Sequence, residues 1–177
     1  VPVEPVEMLT TRVGLEHRAI VERARIVIVE ESARMPYLDG VENAVHESEV
    51  DYVITGDAAP PPEIPNPPPT DADRAVAQLI AAEVEDGSCL QVGIGAMPNA
   101  VCSLLRDSGV RDLGVHTEML TDGIVDLYLA GVVTGARKTL DAGKVVCTFG
   151  VGTKLQYETA DRNPDFLCHA VDLINQP

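Results

Sequence analysis

The stretch Cys89-Leu90-Gln91-Val92-Gly93-Ile94-Gly95-Ala96-Met97-Pro98 sets the architecture. Cys89 to Val92 reads as a strand, and residues 93–96 as a tight loop. Pro98 suits the first position of a new helix, which carries Val101, Leu104 and Leu105. Downstream the alternation continues. Leu113 to His116 is a strand, followed by a helix through Ile124, Val125, Leu127 and Tyr128. Lys144 to Phe149 is a strand. Gly150-Val151-Gly152 then leads into a helix that Asn163-Pro164 stops. Upstream, Thr70 or Asp71 can cap a helix that places Val76, Leu79, Ile80 and Val84 on one face and ends near Gly87. Asp71 and Asp73 favour its first turn. Strands alternating with helices at these lengths imply parallel βαβ units in an α/β fold.

Further upstream the pattern breaks. Seven of the thirteen prolines fall between Pro60 and Pro69. Such a run enters neither a helix nor a central strand, and it reads as a stiff extended linker over 58–70. Before it, the β-branched run Ile26-Val27-Ile28-Val29 reads as a buried strand, and Asp51 to Thr55 as a second. Glu30 to Val50 between them reads mostly as loop with a short helix. These elements are too few for a domain. Residues 1–57 read as the closing part of one α/β domain, and 71–177 as the opening part of another. The start at Val1-Pro2-Val3-Glu4, without Met, and the stop at Pro177 read as a segment of a longer protein.

Bulk properties narrow the function classes. The 177 residues carry a net charge of −15, which disfavours a nucleic-acid backbone or an anionic membrane as partner. Aromatic residues are 3% with no Trp, so base-stacking platforms are not expected. No apolar run approaches the length that crosses a bilayer, and no export signal is evident. Cys89, Cys102, Cys147 and Cys168 form no C-x-x-C pair, and His17, His46 and His169 lack metal-ligand spacing between them. No metal site is expected. The cysteines read as buried thiols in a reducing cytoplasm.

Three groups of residues can carry chemistry. In Gly93-Ile94-Gly95 two glycines admit a ligand to the backbone, and the following helix offers free N–H groups. The loop reads as a plain turn, an anion or oxyanion cradle, or a dinucleotide fingerprint. Glu118, about 20 residues on, fits the ribose ligand of the last, whereas Pro98 replaces its third glycine. In Gly114-Val115-His116-Thr117-Glu118-Met119-Leu120-Thr121-Asp122-Gly123 a polar cluster begins as an apolar strand ends, where open α/β sheets bind ligands. Glu118 there can be base, ligand, nucleophile or simple loop acid. Asp122 reads as an N-cap, and His116 as a structural hydrogen-bonding group. The only lysines, Lys138, Lys144 and Lys154, share a window with Arg137, Gly150 and Gly152. That window can hold phosphate or be a solvated charge set.

Together these segments resemble the acetyl-CoA hydrolase/transferase family, the class I CoA-transferases that include 4-hydroxybutyrate and butyrate CoA-transferases. The resemblance covers residues 20 to 177. It is most specific in Gln91 to Val101 and in Asp112 to Met119. Asp122-Gly123, Asp126-Leu127, Gly152-Thr153-Lys154 and Val171-Asp172 extend it. It implies two open parallel-sheet α/β domains of the NagB/RpiA/CoA-transferase type. It also implies an acyl-CoA:carboxylate CoA-transferase acting by ping-pong through a glutamyl-CoA thioester on Glu118. Gly93, Ile94 and Gly95 would supply an oxyanion donor, and Lys154, Lys138 and Lys144 would contact CoA phosphate. The resemblance further implies acyl-CoA and a small carboxylic acid as partners, no permanently bound cofactor, and a homo-oligomer. Acetyl-CoA hydrolase is the close alternative, and a nucleotide-binding or interaction module without catalysis the distant one. Two departures stand out. The family's Met-Pro-Arg-Thr stretch reads Met35-Pro36-Tyr37-Leu38 here, and its Gly-Gly-Gln segment would fall beyond Pro177.

Overall fold

The computed structural model describes residues 8–9, 17–41, 43–57 and 59–175. Val1 to Glu4, the side chain of His17 and Pro177 lie outside the described part. In chain order the elements before the proline run are β1 (Met8–Leu9), α1 (His17–Arg23), β2 (Ile28–Glu31), β3 (Asp39–Val41), β4 (Ala44–Val45) and β5 (Tyr52–Thr55). After it come α2 (Asp71–Ala81), β6 (Cys89–Leu90), α3 (Ala96–Asp107), β7 (Gly114–His116), β8 (Met119–Leu120) and α4 (Asp122–Leu129). The chain closes with β9 (Val145–Cys147), β10 (Phe149–Gly150), α5 (Lys154–Ala160), β11 (Phe166–His169) and α6 (Val171–Ile174).

The central sheet has five strands in the order β3-β11-β9-β7-β6, and every pairing in it is parallel. This is the α/β architecture that the alternation predicts. The helices pack in succession, α2 on α3, α3 on α4 and α4 on α5. Leu105, Leu113, Val115, Ile124, Val125, Leu127, Val145, Cys147 and Phe166 form one buried core between helices and sheet. Gly123 lets α4 approach α3, because a Cβ there would stand 3.0 Å from the Cβ and Sγ of Cys102.

Several elements differ from their expectation. β2 and β5 do pair, in parallel, from Ile28–Tyr52 to Glu31–Thr55. They are not buried: Ile28 and Tyr52 are each 61% exposed. Their apolar residues have no covering layer among the described residues. Residues 30–50, expected mostly as loop with a short helix, hold a short 3-10 helix at Glu47–Glu49 but also β3 and β4, which were not expected. β3 is an edge strand of the central sheet, with Leu167, Cys168 and His169 opposite Asp39, Gly40 and Val41. Gly40 has to be glycine there, because a Cβ would collide with the Cys168 carbonyl. Leu38 anchors this strand in the core. Pairing signals for β3 were faint because Asp39-Gly40-Val41 has no apolar alternation; its register comes from β11.

α2 is capped as expected. Thr70 Oγ1 accepts the Asp73 N–H, and the Asp73 carboxylate accepts the Thr70 N–H at 2.8 Å. These bonds hold the Asp73 carboxyl below its ordinary range. The buried face is another matter. Ala77 is the buried residue of α2, while Val76, Ile80 and, at 72%, Leu79 are exposed. The helix ends at Ala81, and Gly87 serves a later turn with φ of 83°. Cys102, Cys147 and Cys168 are buried free thiols, and burial raises all three, Cys168 to about 11. Cys89 is exposed, because β6 is the other edge of the sheet.

Candidate functional site

Parallel pairing puts the carboxyl ends of neighbouring strands side by side. β6 pairs with β7 at Cys89–Gly114 and Leu90–Val115, so the Gly93 loop emerges beside Thr117 and Glu118. Among the described residues, the N–H groups of Gly93, Ile94 and Gly95 meet no protein acceptor. α3 begins directly after them, with Gly95 at its N-cap and no side-chain cap. The loop therefore presents unpaired donors and the positive end of a twelve-residue helix.

Glu118 follows β7. Its carbonyl accepts the Thr148 and Phe149 N–H groups at 2.9 and 3.2 Å, which fixes its backbone to the β9–β10 connection. Its side chain is half-buried, and Oε2 accepts Asn175 Nδ2 at 3.2 Å. Thr117, just before it, is buried and bonds to Val92. The two sequence motifs thus end on neighbouring strands, tied where the Thr117 hydroxyl meets Val92, one residue before Glu118 and one before Gly93.

His116 lies on the same strand end. Burial first, then Lys138 and His169, push its imidazole below the ordinary 6.5; Asp141 and a bond to the Leu173 backbone oppose this. The reading of His116 as a structural hydrogen-bonding group fits that bond. Asp122 differs from expectation. Thr121 holds the N-cap position of α4, and Asp122 is a hub. Its Oδ1 accepts the Thr153 N–H and hydroxyl at 3.0 and 2.8 Å, and its Oδ2 accepts Asn66 Nδ2 at 2.6 Å. Asn99 Nδ2 in turn donates to Asn66 Oδ1 at 2.9 Å.

The lysines do not converge. Lys138 Nζ donates to the Val115 and Lys144 carbonyls, and its half-buried setting lowers its pKa. Lys144 Nζ donates to the Pro164 carbonyl at 2.7 Å. Lys154 is 75% exposed and pairs with Glu158. The Gly152-Thr153-Lys154 backbone meets carboxylates of the chain itself, since Thr153 N–H goes to Asp122 and Lys154 N–H to Glu63. Asn66, Asn99 and Thr117 went without a role in the sequence. A lone Asn in a proline run carries no signal, and Thr117 could be flagged only as a polar residue at the end of a buried strand.

The dinucleotide reading gains no support from the described strand order. That ligand binds where strand order reverses. β6 is an edge strand, with no strand beyond it among the described residues.

No family model matches the chain. Individual proteins do. The chain is 43% identical over 159 residues to the butyryl-CoA:acetate CoA-transferase of Anaerostipes caccae, covering 89% of this chain and 36% of that protein. The crystal structure of RipA from Yersinia pestis superposes with a TM-score of 0.84 at 41% identity, covering 92% of this chain and 37% of that one. Curated relatives about 40% identical over most of this chain are CoA-transferases. The sheet of this chain is the open α/β type of these enzymes. An acetyl-CoA hydrolase of Yarrowia lipolytica matches less of it, at 34% identity over 84 residues, 42% of this chain and 16% of that protein. The chain spans about a third of the length of the curated CoA-transferases it matches. Among the described residues, no helix is long and apolar enough to cross a membrane.

Proposed function

We propose that this chain carries the nucleophile-bearing part of an acyl-CoA:carboxylate CoA-transferase, with Glu118 as nucleophile. The reading is carried by the β6–β7 pairing and the Thr117–Val92 bond, which bring half-buried Glu118 and the unpaired N–H groups of Gly93, Ile94 and Gly95 to neighbouring strand ends. A carboxylate nucleophile needs no neighbouring base to activate it. A Glu118 oxygen attacks the thioester carbonyl of acyl-CoA; the C–S bond breaks, giving a glutamyl-acyl anhydride and CoA thiolate. The thiolate attacks the glutamyl carbonyl, the donor acid leaves as carboxylate, and a glutamyl-CoA thioester remains. An incoming carboxylate then runs both steps in reverse and departs as the new acyl-CoA. Each step passes through an oxyanion, and preorganised N–H donors stabilise such charge.

Butyrate, acetate and 4-hydroxybutyrate are the substrate class of this reading, which needs CoA only as a substrate thioester. Lys154, exposed and close to Glu63 and the loop at Gly152, is the lysine best placed to meet CoA phosphate. Lys138 and Lys144 are committed to backbone carbonyls and would have to exchange those partners. The reading also takes residues 58–70 as a boundary between two α/β parts that β3 crosses to join the later sheet, and a cytoplasmic setting, with which the free cysteines agree.

The test is covalent trapping. The protein is incubated with butyryl-CoA, treated with hydroxylamine or borohydride, and mapped by mass spectrometry. Modification at Glu118, absent in Glu118→Gln, is expected; modification elsewhere ends the assignment. A hydrolase reading, favoured by the shorter match to the acetyl-CoA hydrolase, differs only in the acceptor. Acyl-CoA turnover that depends on added acetate marks the transferase, and turnover indifferent to it marks the hydrolase.

A further inference from the structure

We propose that the Thr117 hydroxyl is the positioning group that holds the Gly93–Gly95 donor loop in register with the Glu118 carboxylate. This rests on the nucleophile reading of Glu118. Thr117 is polar yet 0% exposed. Its Oγ1 accepts the Val92 N–H at 3.2 Å and lies 3.3 Å from the carbonyls of Val92 and Met119. A hydroxyl has one proton and two lone pairs, so it satisfies the Val92 N–H and one of those carbonyls together.

The location gives the bond its importance. The β6–β7 ladder ends at Leu90–Val115, two residues short of the loop. Towards β9, residues 117 and 118 are fixed by backbone bonds: Thr117 N–H donates to Val146 O at 3.0 Å, and Glu118 O accepts from Thr148 and Phe149. Towards the loop, this hydroxyl makes the only hydrogen bonds between residues 91–95 and residues 116–119, among the described residues. The side chain extends the strand register from Leu90 to Val92 and leaves the next three N–H groups free for a ligand. A misplacement of about 1 Å between reacting groups costs about 100-fold in rate. One hydroxyl can therefore govern kcat without touching substrate.

Thr117→Val keeps the branched shape and removes the hydroxyl; Thr117→Ser keeps the hydroxyl. In the Val variant kcat is expected to fall about 10- to 100-fold, while KM for butyryl-CoA stays within about twofold. The Ser variant is expected to recover most of the rate. Full activity in Thr117→Val, or an equal loss in Thr117→Ser, overturns the proposal. Amide exchange in the unaltered protein gives a second readout that does not depend on the Val variant folding. The Val92 N–H is expected to exchange slowly and the Gly93 N–H fast; equal rates overturn the tie. Failure of the Glu118 reading looks different, since trapping would then label another residue whatever the exchange pattern.

Discussion

At Gly93 an added Cβ would meet no heavy atom within 4 Å, and the backbone there lies outside the left-handed region. Neither packing nor conformation requires glycine at this position. Gly95 differs, because its φ of 124° strains any residue with a Cβ, at a cost of about 1–3 kcal/mol. The two glycines of one motif are thus glycine for different reasons. Gly93→Ala is expected to melt within about 0.5 kcal/mol of the parent, as harmless exposed changes do, yet to lose turnover, because the methyl occupies the space a thioester must enter. Gly95→Ala is expected to lose stability as well. Thermal melts and steady-state kinetics on both variants separate the roles, and an active Gly93→Ala would remove the loop from the site. The motif itself was plain in the sequence. Which glycine serves the ligand was not, because that depends on what stands around each one.

Elements read well where pattern is local and poorly where it is supplied by neighbours. The Thr70–Asp73 capping box lies within four residues, and α2 begins where it predicts. The proline run shows the opposite case. It is extended, as proline demands, but it is also strapped down. Tyr157 hydroxyl donates to Pro62 O at 2.6 Å, Ile64 N–H to Gly152 O at 3.2 Å, and Asn66 bridges Asp122 and Asn99. Under it, a pocket of about 270 Å³ opens between Ile64, Pro65, Ile94, Gly95 and Val151. What composition reads as a spacer is a wall beside the Gly93–Gly95 loop. Asn66→Ala removes the donor to Asp122 and the acceptor for Asn99, and is expected to cost about 1–2 kcal/mol. Denaturant unfolding measures the loss, and faster proteolysis within 60–69 is expected alongside it. Unchanged stability and cleavage would return the segment to the status of a spacer.

For the whole molecule, the exposed apolar residues are the feature that the core does not absorb. Val76, Leu79 and Ile80 on α2, and Ile28, Tyr52, Val53 and Ile54 on β2 and β5, all face outward. Apolar clusters left uncovered mark surfaces that another part of an assembly covers. The homo-oligomer that the family resemblance implies would supply one cover, and α2 is its simplest element. Sedimentation is expected to show self-association that Leu79→Lys weakens about tenfold, or 1.4 kcal/mol. A monomer at all concentrations would end that part of the proposal.

The sequence by itself determined the alternation of strand and helix, the parallel sheet, the Gly93 loop and the Glu118 strand end. These follow from short-range physics, namely apolar periodicity, caps, and the backbone freedom of glycine and proline. Only the tertiary structure decided that Asp39–Val41 edges the central sheet across the proline run, that Asp122 ties three segments together, and that the Thr117 hydroxyl bonds Val92 at the base of the Gly93 loop. Each of these is a contact between residues distant in the chain, or a hydrogen bond made by a side chain with many available partners. Its partner is chosen by how strands and loops pack, and no local pattern encodes that choice.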